Sequence, residues 1–196
     1  MKPYSESCDQ NRDPILAVIR PLFAERERVL EIGSGTGQHA VYFAARMPHL
    51  LWQTSDRREN LDGIRQWLAE AALPNTPPPL SLDVTCDPWP EKDWDALFSA
   101  NAVHIMPWTA VERLFEGAGR ALGPRGLLVL YGPFNYGGAY TSESNARFDQ
   151  WLKQRDPRSG IRDFEALDRL AAGSGMALRD DFGMPANNRI LCWQKR

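Results

Sequence analysis

Between Val29 and Gln38 the chain reads Val29-Leu30-Glu31-Ile32-Gly33-Ser34-Gly35-Thr36-Gly37-Gln38, an apolar stretch with one acid that opens into glycines at alternate positions. This run predicts a strand over Val29 to Ile32, a tight turn, and a helix whose first N–H groups point back over the strand end. Gly33 and Gly35 carry no Cβ to hold a ligand away from the backbone, and Gly37 lets the helix close onto the strand. In an open α/β sheet ligands lie beyond the carboxyl ends of the strands, so the run is either a ligand-binding turn of such a sheet or an ordinary tight strand-to-helix turn. Counting from Gly33, the sixth place of a G-x-G-x-x-G pattern is Gln38, so a dinucleotide fingerprint fits poorly. Glu31 also opposes a pyrophosphate, whereas a carboxylate there can bind an ammonium or a ribose hydroxyl.

The spacing E-x-G-x-G-x-G resembles motif I of class I S-adenosylmethionine-dependent methyltransferases. The rest of the chain alternates in the way that motif requires. Asp13-Pro14 suits a helix start, with Ile15, Val18, Ile19 and Leu22 at helical spacing. After the turn, Ala40, Val41, Ala44 and Met47 continue a helix that stops before Pro48, and Leu50 to Thr54 reads as the next strand. A helix over about 60–73 buries Leu61, Ile64, Leu68 and Ala71, and Leu80 to Val84 reads as a third strand. Ala96 to Asn101 and Leu127 to Tyr131 are near-continuous apolar runs, as in strands covered on both faces. Between them Thr109 and Glu112 are spaced as a capping box, ahead of the stripe Val111, Leu114, Phe115, Ala118 and Leu122. Residues 132–160 form a longer aromatic-containing insertion with a helix carrying Phe148, Trp151 and Leu152, which reads as a lid or substrate loop. A helix over about 163–172 and strands near 177–182 and 189–193 close the chain. Such β-α alternation demands a three-layer, Rossmann-like α/β fold with a mostly parallel sheet.

At 196 residues with 43% hydrophobic side chains, one domain of ordinary size is expected over 1–196. A net charge of −2 with no basic stripe argues against a nucleic-acid partner and for a small-molecule or protein acceptor. Cys8, Cys86 and Cys192 lie far apart in no metal-ligand spacing, so neither a disulfide framework nor a metal site is expected. No run reaches the roughly 18 apolar residues of a membrane span and no leader-like stretch precedes the first helix, so a soluble, cytoplasmic protein is expected.

Polar residues at strand ends are the candidate ligand contacts. Asp56 lies 19 residues after Gly37 and either accepts hydrogen bonds from both ribose hydroxyls or caps the helix that follows. Asp83, beside Val84, either receives an adenine amino group or is a turn aspartate. Ser34, Gln38 and His39 occupy the turn and first helical residues, with His39 a ligand contact or a surface residue. Asn101 begins the segment Asn101 to Trp108, where the cofactor's polar tail and the methyl acceptor should meet. His104 in that segment is either a general base for an O–H or N–H nucleophile or a hydrogen-bonded structural histidine. Tyr131, Phe134, Tyr136 and Tyr140 either wall an aromatic acceptor site or pack the core. Asn187, Asn188 and Arg189 form a turn or an acceptor-binding triplet.

Over nearly its full length the chain resembles the methyltransferase-like 26 family. The likeness is carried by Cys8, Asn11, Arg12, Pro14 and Ile15, by Leu30 to Ala40, and by Trp52-Gln53 with Ser55-Asp56. It continues in Leu82 to Thr85, Trp89-Pro90, Asn101, His104-Ile105, Pro107-Trp108 and Leu130 to Phe134. Ser144-Asn145, Phe148-Asp149, Arg155 to Pro157, Gly160 to Asp163 and Met184 to Asn188 complete it. The resemblance implies a seven-stranded sheet with an antiparallel last strand, S-adenosyl-L-methionine as cofactor, and an N-terminal lid over 1–24 in which Asn11 and Arg12 fold over that cofactor. Ser34 stands where the family often has alanine. Neither acceptor nor base is implied. A protein that binds S-adenosylmethionine without turnover, as sensor or partner subunit, is the second reading; Gln38 and Glu31 disfavour a nicotinamide-dependent enzyme.

Overall fold

The central strands are buried on both faces, and this fixes everything built on them. The computed structural model describes residues 2–90 and 94–196. In β1 (Arg28–Ile32) Val29 faces one side of the sheet while Leu30 and Ile32 face the other, and all three are buried. β1 pairs in parallel with β2 (Leu51–Asp56), β2 with the short β3 (Leu80–Ser81), and on its other edge β1 pairs with β4 (Trp94–Ala100). β4 then pairs in parallel with β5 (Leu122–Gly132). Phe134–Asn135 and Arg162–Asp163, β6 and β7, form a separate small ladder. β8 (Met176–Gly183) and β9 (Arg189–Lys195) finish the main sheet, whose order is β3-β2-β1-β4-β5-β9-β8. β9 runs antiparallel to both of its neighbours, as the resemblance implied.

Helices cover both faces, giving three layers. Ile15, Leu16 and Ile19 of α1 (Glu6–Leu22) and Ala40, Phe43 and Ala44 of α2 (Gln38–Arg46) pack on Val29, Ala96, Phe98 and Val129. α3 (Leu61–Ala71) adds Leu61, Ile64 and Leu68 beside Val41. On the opposite face lie Val111, Leu114 and Phe115 of α4 (Trp108–Ala121), together with Leu167 and Ala171 of a later helix, against Leu30, Leu97, Leu128 and Trp193. α5 (Glu143–Arg155) belongs to the insertion, and α6 (Phe164–Gly173) is the helix that carries Leu167 and Ala171.

Three local readings are corrected. α1 starts at Glu6, not at Pro14, so that proline lies inside the helix and cannot donate to the turn below. Asp13 caps nothing, because its carboxylate accepts the Tyr42 hydroxyl. The first turns are held from outside instead: the Ser5 amide donates to Gln38 Oε1 at 2.6 Å, and Gln38 Nε2 returns a bond to the Ser5 carbonyl. β3 ends at Ser81 because Asp83 folds the chain away, Oδ1 accepting the Thr85 amide at 2.9 Å while the Asp83 amide donates to Asp87. Thr109 is not a cap; α4 begins at Trp108, whose indole N–H donates to Glu112 Oε1 at 3.0 Å.

From β1 the chain winds outward through β2 and β3, then returns to place β4 on the other side of β1. Strand order therefore reverses between β1 and β4, where the crevice of a doubly wound sheet opens. The glycine turn leaves β1 on one side of it, and the segment with Asn101 and His104 leaves β4 on the other. Gly37 closes this corner in a left-handed conformation, φ +90°, and a Cβ there would lie 3.3 Å from Ile64 Cα and 3.4 Å from Trp67 Cβ. Gly37→Ala is expected to lower unfolding free energy by about 1–3 kcal/mol through backbone strain and crowding, measured by urea denaturation.

Candidate functional site

The glycine turn is stitched to β2 by buried polar groups. The Ser34 amide donates to the Ser55 carbonyl at 3.0 Å, and the Ser34 hydroxyl accepts the Ser55 amide while donating to Glu31 Oε2 at 3.0 Å. Trp52 Nε1 gives Glu31 Oε2 a second bond at 3.1 Å. Burial raises the Glu31 carboxyl to about 7 despite these donors, so the acid is close to half protonated at neutral pH. Asp56, at the end of β2, accepts the Gly35 amide on Oδ2 at 2.7 Å. Its Oδ1 takes the Arg57 amide and the Asn60 side chain at 2.7 and 2.8 Å. A carboxylate accepts about four hydrogen bonds, which leaves Asp56 one position for a ligand hydroxyl. It caps no helix, since Asn60 stands at the start of α3.

Space remains where a nucleoside would lie. Gly35 is left-handed at φ +58° with no atom within 4 Å of an added Cβ, while Gly33 faces Ala102 across 3.2 Å. On Asp83 both Thr85 donors reach Oδ1 and hold the carboxyl below the usual range, leaving Oδ2 without a protein partner among the described residues. Val84 beside it is buried. The residues present therefore fit an adenosine-like ligand: an open glycine turn, a carboxylate with one vacant lone pair at β2, and a second carboxylate beyond β3.

Other proposed contacts are turned elsewhere. Gln38 spends its side chain on Ser5 and on the Thr36 hydroxyl, 3.0 Å away. His39 is buried, bonds Asn11 Oδ1 through Nε2 at 2.6 Å, and stacks on Phe43 at 5.2 Å. Burial lowers its pKa to about 4, so it is neutral at pH 7. Arg12 pairs with Asp9 and lies over the Tyr42 ring at 4.6 Å. These three side chains fasten α1 down as a roof, with Arg12 Nε buried and without a partner among the described residues.

On the other side of the switch point opens a cavity of about 940 Å³. Asn101, His104, Tyr131 and Pro133 line it from the ends of β4 and β5; Gln10, Asn11 and Pro14 close it from α1, and Phe148, Trp151 and Arg155 from α5. Asn101 leaves β4 with φ +56°, a left-handed conformation costly for a non-glycine residue, held by the hydrogen bond its backbone N–H donates to the Tyr131 carbonyl at 2.9 Å. His104 is 4% exposed, and its Nδ1 is buried with no partner among the described residues. Gly132 passes beside it: an added Cβ would be 3.5 Å from that Nδ1 and 3.8 Å from Asn101 Oδ1. Burial, reinforced by the Arg162 charge, lowers the His104 pKa to about 4, leaving a neutral imidazole. Its loop is clamped from behind: Gly160 N–H donates to the His104 carbonyl at 2.8 Å, Arg162 Nε to the Val103 carbonyl at 3.1 Å, and Ser159 Oγ to the Ile105 carbonyl at 3.0 Å.

Of Tyr131, Phe134, Tyr136 and Tyr140, Tyr131 alone lines the cavity. Phe134 is in the core, Tyr136 stacks on Phe164 and bonds Asp181, and Tyr140 bonds Asp149. Asn188 reaches the cavity, whereas Asn187 donates to Ser144 and Arg189 pairs with Asp181 at 2.8 Å. Sequence reasoning did not single out Gln10, Arg155 or the Arg162 clamp. The signals for Arg155 are its helical spacing from Phe148, Trp151 and Leu152 and its place among the residues that carry the family resemblance. Among the described residues there is no cluster suited to a metal ion and no helix long and apolar enough to cross a membrane.

The chain belongs to the family described as "Protein of unknown function (DUF938)", which matches residues 2–195. Its fold is that of S-adenosylmethionine-dependent methyltransferase structures. The apo form of the S-adenosylmethionine-dependent methyltransferase SibL superposes with a TM-score of 0.81 at 22% identity, over 96% of this chain and 55% of that one. The mitomycin 7-O-methyltransferase MmcR gives 0.84 at 16% identity, over 97% and 54%. An O-methyltransferase family protein from Burkholderia thailandensis gives 0.79 at 15%, over 95% and 59%. The chain thus spans little more than half the length of these proteins.

The raised Glu31 carboxyl makes a pH prediction. Between its ordinary value and about 7 the folded chain keeps a proton that the unfolded chain has released, so this site's contribution to stability falls as pH rises through that window. Glu31→Gln, uncharged throughout, should therefore gain on the wild type by about 2–3 kcal/mol between about pH 5 and about pH 8, read by urea denaturation at each pH. His39 and His104, lowered to about 4, act in the opposite sense as pH falls below their ordinary value, and cancel in the comparison.

Proposed function

We propose that this DUF938 chain is an S-adenosyl-L-methionine-dependent methyltransferase acting on a small molecule. The observation that carries the reading is that the switch point between β1 and β4 has, on one side, a glycine turn open at Gly35 beside Asp56 and, on the other, a cavity of about 940 Å³ lined by Asn101 and His104. In this reading Gly33 and Gly35 let the adenosine approach the backbone, Asp56 accepts a ribose hydroxyl, Asp83 and Val84 frame the adenine, and Glu31 and Asn101 serve the methionine end. Ser34, Gln38, His39 and Arg12 hold the turn and its roof in place. S-adenosylmethionine, when bound, supplies a methyl group on a positively charged sulfur, which an acceptor atom takes as the carbon–sulfur bond breaks and its electron pair stays on sulfur.

The protein's part is mainly positioning, worth roughly 7–11 kcal/mol of barrier in well-oriented reactions. In this reading His104 receives the acceptor's proton, which its neutral ring and its position among the residues lining the cavity support. A developing negative charge on the acceptor would raise the basicity of that ring as the proton leaves. The cavity volume supports turnover over binding alone, and the likeness in fold to SibL and MmcR accords with a methyltransferase. A protein acceptor would have to thread a side chain into a cavity roofed by α1 and α5, which favours a small molecule.

Isothermal titration calorimetry should show S-adenosylmethionine and S-adenosylhomocysteine binding, with Asp56→Ala weakening both by at least about tenfold, the loss of a charged hydrogen bond. No binding of either at millimolar concentration overturns the reading. With an acceptor found by S-adenosylhomocysteine release, His104→Gln should keep cofactor affinity while turnover falls by about 10²–10⁴-fold.

A further inference from the structure

α5 turns one stripe toward the cavity: Phe148, Trp151, Leu152 and Arg155, at helical spacing. A stripe of this kind normally enters a core, yet Trp151 is 46% exposed and, across the rim, Ile105 is 57% exposed. The rings form a continuous path from floor to rim. His104 meets Phe148 edge-on at 5.4 Å, Phe148 stacks on Trp151 at 5.7 Å with 18° between planes, and the Arg155 guanidinium lies 4.7 Å from the Trp151 ring. Arg155 is the only Lys or Arg among the residues lining the cavity, and it makes no ion pair or hydrogen bond through its guanidinium among the described residues. Asp156, the one acid among the described residues lining the cavity, is already committed: Arg158 grips it through Nε and Nη2 at 3.0 and 2.9 Å. The wall therefore presents an unpaired cation at its rim, an aromatic path, and the largely buried His104 imidazole at its floor.

Resting on the methyltransferase reading, we propose that the acceptor is a planar hydroxy acid, with Arg155 the residue that specifies its carboxylate. The guanidinium offers a fork that matches a carboxylate in two parallel hydrogen bonds, and stacking on Trp151 fixes its plane. The hydroxyl of such a molecule reaches His104 while its ring lies along Phe148 and Trp151. A neutral phenol would leave the fork unfilled, so the acid group, more than the ring, sets selectivity.

The test is calorimetric, with the full chain saturated in S-adenosylhomocysteine and titrated with hydroxybenzoic, hydroxycinnamic and hydroxynaphthoic acids, each beside its primary amide. At least one acid should bind ten or more times tighter than its amide. Arg155→Gln should abolish that preference, Arg155→Lys should restore part of it, and Arg147→Gln, which removes an arginine paired with Glu143 on the same helix, should leave it intact. Equal binding of acids and amides, binding of neither, or a preference that survives Arg155→Gln overturns the proposal. Failure of S-adenosylhomocysteine itself to bind would instead remove the methyltransferase reading on which it rests.

Discussion

The site depends on a buried polar stitch between the ends of β1 and β2. Glu31, Ser34, Ser55 and Asp56 are all at most 8% exposed, and together they hold the glycine turn against the strand beside it. Buried polar groups of this kind are costly unless every partner is in place. The turn therefore has one conformation in which all are satisfied, and that conformation leaves Gly35 open to a ligand. Ser34 explains itself here: its hydroxyl gives the buried Glu31 carboxyl a donor that an alanine would not.

A second constraint comes from α1, which serves both halves of the crevice. Its start is tied to the turn through Gln38 and to α2 through His39 and Asn11, while Gln10, Asn11 and Pro14 close the cavity. Pro14 costs the helix a bond, and an interior proline is typically worth about 3 kcal/mol of destabilisation. The external tethers offset that loss, and they couple the roof over the cavity to the turn that would hold the cofactor.

What was legible in the sequence was local or strongly periodic. The two-sided apolar runs of β4 and β5, and the glycines spaced for a turn, announce themselves because burial on both faces and the absence of Cβ atoms leave few other uses for such residues. The start of α1 depends on Gln38, distant in sequence; the end of β3 on a turn aspartate that outcompetes the ladder; and the cap expected at Thr109 fails because the helix already begins one residue earlier, at Trp108. Gln38 and His39 lie where a ligand contact is expected, and only the fold reveals that α1 claims both side chains. The stripe on α5 was visible as a helical pattern, but periodicity cannot distinguish a face that enters a core from one that lines a cavity. The Arg162 clamp on the His104 loop joins segments more than fifty residues apart and left no local trace.

The account turns on a single geometric relation: the nucleoside space at the turn and the cavity at His104 must be two ends of one site. A crystal structure with S-adenosylhomocysteine tests this most directly. The account predicts the ribose against Asp56, the adenine beside Asp83, and the thioether sulfur facing the cavity within reach of an acceptor held at His104. A ligand bound away from Asp56, or a sulfur sealed off from the His104 cavity, would contradict it.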